Sequence, residues 1–292
     1  MTEGASNISY EPGQRLDKAL AAAYPQYSRA YLARLIDADA VLVNGKPTKA
    51  GWKLRQGDKV TITADLTQEQ VIEDIDLPVI YEDDDVLVID KPSGVISHSR
   101  GKYWYEPSVA SFVRQRTGGT ANPEDRAGIV HRLDRATSGV MICAKNEAAL
   151  SFLQKQFSAR TVQKTYKAII PGHIKPPTAV IDMPIERNPR KPSSFRVGSN
   201  GKSAQTAYET IAESNEYSML ELKPRTGRTH QLRVHLVHQG KPIIGDELYG
   251  GELADRLMLH AASLTLKLPS GEEKTFEAPL PDTFAKYVEL SA

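Results

Sequence analysis

From residue 85 onward the chain is punctuated by short β-patterned runs: "DVLVID" (85–90), "GVMICA" (139–144), "TYKAIIP" (165–171), "AQTAYETI" (204–211), "SMLELK" (218–223) and "SLTLKL" (263–268). No other feature constrains the fold as strongly. Several of these runs alternate polar with apolar residues, as strands with one solvated face do. Helical periodicity intervenes at "EAALSFLQKQF" after Asn146, at "THQLRVHLVHQ" and at "TFAKYVELS". A helix does not follow every strand, which argues against repeated βαβ winding. The expectation is an α+β domain on a mixed, largely antiparallel sheet with flanking helices. With 292 residues, 40% of them hydrophobic and 25% charged, there is room for such a domain and a small second one.

That second domain is read at residues 14–65. Ser28 is placed to cap a helix, "SRAYLARLIDA", whose Leu32, Leu35 and Ile36 share a face. Asn44-Gly45 after a β-branched run signals a tight hairpin, and "GDKVTI" supplies another strand. From "QRLDKAL" through "VLVNGKP" to "LRQGDKVTI" the pattern resembles the S4 RNA-binding fold. Arg15, Arg29, Arg34 and Lys46 are the candidate phosphate contacts in this S4-like α/β module. From Leu66 to Asp85 there are eight acids and no Lys or Arg. Residues 66–84 are therefore expected to be an acidic linker, with 85–292 as the larger domain.

The net charge of +1 conceals this segregation. "RNPRKPSSFRVGSNGK" (187–202) has five basic residues and no acid, and "RTGRTHQLRVHLVHQGK" (225–241) has four plus three histidines. Several local basic surfaces on a nearly neutral protein point to a polyanionic partner, nucleic acid above all. No apolar run approaches the ~20 residues of a membrane span. "MTEGASNISYEPGQ" has neither the basic region nor the apolar core of a signal peptide. The single cysteine, Cys143, sits in an apolar run and reads as core. Cytoplasm is the expected compartment and a monomer the expected state.

Within "GIVHRLDRATSGVMICAKN" (128–146), Asp134 lies between Arg132 and Arg135. A carboxylate flanked by guanidiniums favours its charged form and is available as a nucleophile or as a partner for developing positive charge. On this stretch alone a surface Asp–Arg cluster opening a turn is an equal reading. Four islands together decide: "IDKPSGVISH" (89–98), "HRLDRATSG" (131–139), "KTYKAIIPG" (164–172) and "RTGRTHQLRVHLVHQGKPIIGDELYG" (225–250). In this order they resemble the RluA/RluD-type family of uridine-to-pseudouridine synthases, over about residues 85–290. With the S4-like module in front, the similarity is to members that modify large-subunit ribosomal RNA.

The resemblance implies a cofactor-free and metal-free isomerisation in which uracil is detached from ribose, rotated and rejoined through C5. Breaking the N-glycosidic bond builds positive charge at C1′, which a carboxylate can trap or stabilise much as a retaining glycosidase does. By motif position Asp134 is that carboxylate. The family's basic partner of the aspartate falls on Arg233, and its tyrosine on Tyr166, where the ring can stack on the flipped uracil and the hydroxyl assist removal of the C5 proton. Arg132 is expected to enter the gap left by the flipped base, with Leu259 backing the base from the other side. Arg135 and Ala136 stand where the family usually has lysine and aspartate, and "VISHSRG" departs from the more common "VHPG" style.

The rivals fare less well. His131, Asp134 and Ser138 lack the G-x-S-x-G elbow of a Ser–His–Asp hydrolase. His230, His235 and His238 have spacings that do not put all three on one helical face, and read as packing or phosphate-contacting residues. A tRNA target is the alternative to 23S rRNA or its large-subunit precursor. A non-catalytic RNA-binding ribosome-assembly factor is the other; such a protein would tolerate loss of Asp134, Tyr166 and Arg233, all of which are present.

Overall fold

The computed structural model describes residues 8–25, 27, 29–64, 66, 75–98, 106–117 and 127–289. They divide into two compact units, one holding the described residues up to 66 with Glu106, the other 75–98 and 107–289.

In the first unit, helices α1 (Leu16–Ala23) and α2 (Arg29–Asp37) accompany a three-stranded sheet of order β2-β1-β3, formed by Val41–Val43 (β1), Lys46–Pro47 (β2) and Val60–Ile62 (β3). Leu16 and Leu20 on α1, and Leu32 and Ile36 on α2, are four apart and so share a face. They form one core with Val41, Val43, Leu54, Val60 and Ile62. The expected hairpin is present: Asn44 and Gly45 take φ of 53° and 76°, the two positive values a type I′ turn requires. The proposed Ser28 cap lies outside the described residues.

The second unit is built on a nine-stranded sheet. Its strands are β4 (Val79–Glu82), β5 (Val86–Lys91), β6 (Ser138–Ala144), β7 (Gln163–Pro171), β8 (Thr178–Asp182), β11 (Gln205–Glu213), β12 (Tyr217–Pro224), β13 (Leu259–Lys267) and β14 (Glu273–Glu277). The order is β4-β5-β6-β13-β7-β12-β11-β8, with β14 also paired to β13. Among the described strands every pairing is antiparallel except β6 with β13. A separate two-stranded ribbon joins β9 (Ile185–Arg187) to β10 (Phe195–Val197). Helices α3 (Val109–Arg116), α4 (Glu147–Ala159) and α5 (Gln231–His238) complete the unit. The expected α+β architecture on a mixed, largely antiparallel sheet is what forms.

Strand β6 is buried at all seven positions because both of its faces are covered. Met141 and Cys143 pack with Leu87, Ile89 and Phe112, whereas Val140, Ile142 and Ala144 pack with Val86, Val88 and Leu153. This explains the continuous apolar run where other strands alternate. Cys143 is core, its thiol pushed up to about 12 by burial. Asn146 caps α4 as expected, its side chain accepting from the Ala149 N–H.

Two expectations are corrected. The acidic stretch 66–84 is not spacer throughout, because Val79–Glu82 is a strand of the sheet. Two of its acids are engaged: Glu82 pairs with Arg116 at 2.7 Å and Lys145 at 2.9 Å, and Asp83 accepts the Asp85 and Val86 N–H groups. The helix expected in "TFAKYVELS" is a single 3-10 turn, Asp282–Lys286, following Pro281 and burying Phe284.

Candidate active site

The loop from His131 to Thr137 enters β6 and carries Asp134; its turn is closed by the Thr137 N–H donating to the Asp134 carbonyl at 3.0 Å. Its placement depends on Gly139. There φ is 114°, and a Cβ would lie 2.2 Å from the Ala261 carbonyl oxygen. Only glycine lets β6 approach β13 this closely. The parallel rungs His260–Ser138 and Ala261–Gly139 then set Leu259 beside the start of β6. Tyr166, on β7, is opposite Ala261 in the antiparallel register. Arg233 comes from α5, a helix buried over Gln231–Leu236.

These elements enclose a cavity of about 490 Å³, lined among others by Asp134, Arg132, Tyr166, Leu259, His230 and Arg233. All five residues selected from the larger domain thus meet in one cavity. Among the described residues its lining has a single carboxylate, Asp134, against six cations: Arg132, Arg160, Lys164, Arg225, Arg228 and Arg233.

The guanidinium within reach of Asp134 is Arg233, whose Nη1 lies 3.4 Å from Oδ2. Neither flanking arginine takes that place; Arg135 turns toward the Gly94 carbonyl at 3.3 Å. Arg233 is itself fixed by Asp246, to which Nε and Nη2 each donate at 2.7 Å. Asp246 is almost fully buried and also accepts the Tyr249 N–H. The Tyr249 ring lies 4.9 Å below the guanidinium. Burial opposes the charge on Arg233, yet the Asp246 and Asp134 carboxylates raise its pKa above the ordinary value.

His230, in left-handed conformation at the start of α5, brings Nε2 to 3.8 Å from Asp134 and shares a 2.8 Å hydrogen bond between Nδ1 and the Tyr249 hydroxyl. Burial lowers its pKa, with the Asp134 charge opposing. His235 is turned elsewhere, to Thr206 and the Met183 carbonyl. Tyr166 stays a neutral phenol, its pKa raised by burial and by the Asp134 charge. Among the described residues its hydroxyl has no hydrogen-bond partner. Behind the loop, fully buried Lys91 donates to the carbonyls of Pro92, Val95 and Arg135, tying "KPSGV" to the Asp134 turn. Burial lowers its pKa to about 7 against the pull of Asp134.

Reading the sequence missed Asp246 and Tyr249, although "GDELYG" lies within the fourth island. A carboxylate and an aromatic ring at the end of an acid-free basic window were the available signal. In the first unit two candidate phosphate contacts are already committed. Arg15 and Arg29 both donate to Asp17, at 3.0 and 2.7 Å. Arg34 stands 5.9 Å over the Tyr31 ring, and Lys46 is exposed on β2.

A cavity that has, among the described residues, one carboxylate, an unpartnered tyrosine and a cationic rim suits an enzyme acting on a nucleic-acid base. Residues 85–238 match the RNA pseudouridylate synthase family and residues 14–60 the S4 domain. The chain belongs to the RNA pseudouridylate synthase family and is an RNA pseudouridine synthase, an isomerase. It is 37% identical to an uncharacterized RNA pseudouridine synthase of Aquifex aeolicus, covering 93% of this chain and 92% of that one. It is 35% identical to ribosomal large subunit pseudouridine synthase D of Escherichia coli K12, covering 95% and 90%. The solved structure of human RNA pseudouridylate synthase domain containing 1 superposes with a TM-score of 0.60 at 29% identity, over 76% of this chain and 91% of that one. Among the described residues no helix is long and apolar enough to cross a membrane.

Proposed function

We propose that the chain converts specific uridines of 23S rRNA, or of its large-subunit precursor, to pseudouridine in the cytoplasm, as a monomer and without cofactor or metal. The observation that carries the chemistry is Asp134, the single carboxylate among the described residues of the cavity, held by an arginine that is itself anchored from behind.

The target uridine leaves its stack, Arg132 fills the gap, and the base enters between Tyr166 and Leu259. As the N1–C1′ bond breaks, its electron pair departs with uracil, and Asp134 compensates the positive charge at C1′. The uracil anion turns in place. Its C5 then bonds to C1′. The C5 proton is relayed through the Tyr166 hydroxyl, whose oxygen accepts it while the phenol's own proton passes on, so that the proton lost from C5 is balanced by the one N1 gains. No atom is added overall, so the cavity needs no second acid to activate water; excluding water protects the intermediate. The module at 14–65 supplies grip on a large folded RNA through phosphate contacts, and 85–292 supplies catalysis. The relative named for the large ribosomal subunit favours rRNA over tRNA.

Pseudouridine mapping by base-specific chemical labelling, in cells lacking the protein and in cells re-expressing it or D134N, tests this. Large-subunit rRNA sites should return with the wild-type protein only. Sites confined to tRNA would overturn the target, and sites restored by D134N would overturn the chemistry.

A further inference from the structure

Part of the cavity lining is left without work by the isomerisation. The end of α4 supplies Phe157 and Ser158, the residue after it is Arg160, and β7 supplies Lys164. Lys164 and Tyr166 are two apart on one strand, so both side chains stand on the same face, about 7 Å apart along it. Arg160 ends α4 in the left-handed conformation, φ 60°, close enough for its charge to act on Lys164.

Two cations thus adjoin, and among the described residues neither has an ion pair. The Lys164 ammonium is partly buried and, among the described residues, has no hydrogen bond or ion pair. Burial first, and Arg160 second, lower its pKa. The neighbouring His131 cannot compensate. Its Nε2 accepts the Ile142 N–H at 3.1 Å, its ring stacks on Phe157 at 4.7 Å, and burial holds it neutral with a pKa of about 3. A desolvated cation beside a like charge destabilises the free protein unless a ligand supplies the anion. A uridine within an RNA strand carries a phosphodiester on each side, an anion of the kind this pair lacks.

We propose that Lys164 and Arg160, with the Ser158 hydroxyl, form a subsite for a phosphodiester flanking the flipped uridine. This rests on the RNA-modifying reading above and extends it. The enzyme selects a uridine within a strand partly by this phosphate, so that binding to the backbone helps hold the base on Tyr166.

The affinity of the full chain for a single-stranded uridine-rich RNA, measured over a range of potassium chloride at pH 7, tests the subsite. K164Q and R160Q should each weaken binding several-fold and flatten the plot of log K against log salt by about 0.7, the value of one phosphate contact on a single strand. K164R should keep the wild-type slope. Weakened binding with an unchanged slope makes Lys164 a packing residue and overturns the proposal, as does an unchanged K164Q or a slope lost only in R160Q. Pseudouridine formation by the wild-type protein on rRNA fragments is followed in parallel. A slope that depends on Lys164 in a protein that makes no pseudouridine overturns the catalytic reading and leaves the subsite standing. Pseudouridine formation with a Lys164-independent slope does the reverse, and absence of RNA binding overturns both.

Discussion

Arg233 gives two of its donors, Nε and Nη2, to Asp246 at 2.7 Å and keeps Nη1 for Asp134 at 3.4 Å. The tight fork on the buried carboxylate fixes the plane of the guanidinium, and the looser contact leaves Asp134 room to move onto a sugar. Asp246→Asn should therefore impair turnover by at least tenfold although Asp246 is not at the reacting atoms. It should also destabilise the fold by about 3–5 kcal/mol, the usual consequence of halving a buried ion pair. Steady-state kinetics with a denaturation curve check both. A variant with wild-type turnover would mean that Asp246 has no part in orienting Arg233.

Asp134→Asn keeps the shape of the side chain and removes its charge. Pseudouridine formation should vanish while RNA affinity stays within a few-fold, because the rim of cations is untouched. Tritium release from C5-labelled RNA, together with a filter-binding isotherm, is the measurement. Substantial turnover by the purified variant would remove Asp134 from the mechanism.

Tyr166→Phe separates ring from hydroxyl. The stacking face remains, so binding should survive, and turnover should fall by roughly the 10²–10⁴ expected of an acid–base group. The wild-type phenol, raised in pKa by burial and by Asp134, should remain protonated across the working pH range. Single-turnover rates of the two proteins decide whether the hydroxyl contributes at all.

Removal of residues 1–65 should weaken binding to large rRNA fragments and flatten its salt dependence by about 0.7–0.9 per lost phosphate contact. The remaining chain should still modify a short stem-loop at high concentration, since Asp134, Tyr166 and Arg233 are all retained. Because Arg15 and Arg29 share Asp17, Lys46→Gln should lower the slope more than Arg15→Gln does. An intact slope in the truncated protein would make the module a packing cap.

Asp17 also gives the module a pH limit. Burial opposes its charge, but hydrogen bonds from Arg15 and Arg29 prevail and lower its pKa from 3.8 to about 2. A depressed carboxylate contributes stability above the unfolded pKa and loses it as pH falls through the folded one. The module should therefore loosen between about pH 4 and pH 2, by about 1–2 kcal/mol once solvent screening of the arginines is allowed for. Amide exchange of residues 16–62 in the full chain reads this directly. Asp17→Asn should be less stable near neutrality and lack this acid-dependent loss.

The strands were legible where side chains alternate or run apolar, and the chemistry where unusual residues cluster. Strand β8 was hidden behind Pro176-Pro177, and the ribbon β9–β10 is too short for a period to register. The acidic stretch misled because a sequence shows charge without its partners; Arg116 and Lys145, which neutralise Glu82, come from distant positions. Asp246 was marked only by its place after an acid-free basic window. Its role comes from burial against Arg233, which only the folded chain defines.

The parallel junction of β6 and β13 has a consequence for when activity can exist. Strand β13 lies between β6 and β7, so the carboxylate and the tyrosine are neighbours only through a segment made more than a hundred residues after Asp134. Until that segment is inserted the sheet is two separate ribbons, and Leu259 is not yet a wall. Long-range insertion of this kind closes late. A chain emerging from the ribosome thus holds its reactive residues apart until β13 has been synthesised, and C-terminal truncation at any point before residue 261 should yield a protein that never becomes an enzyme.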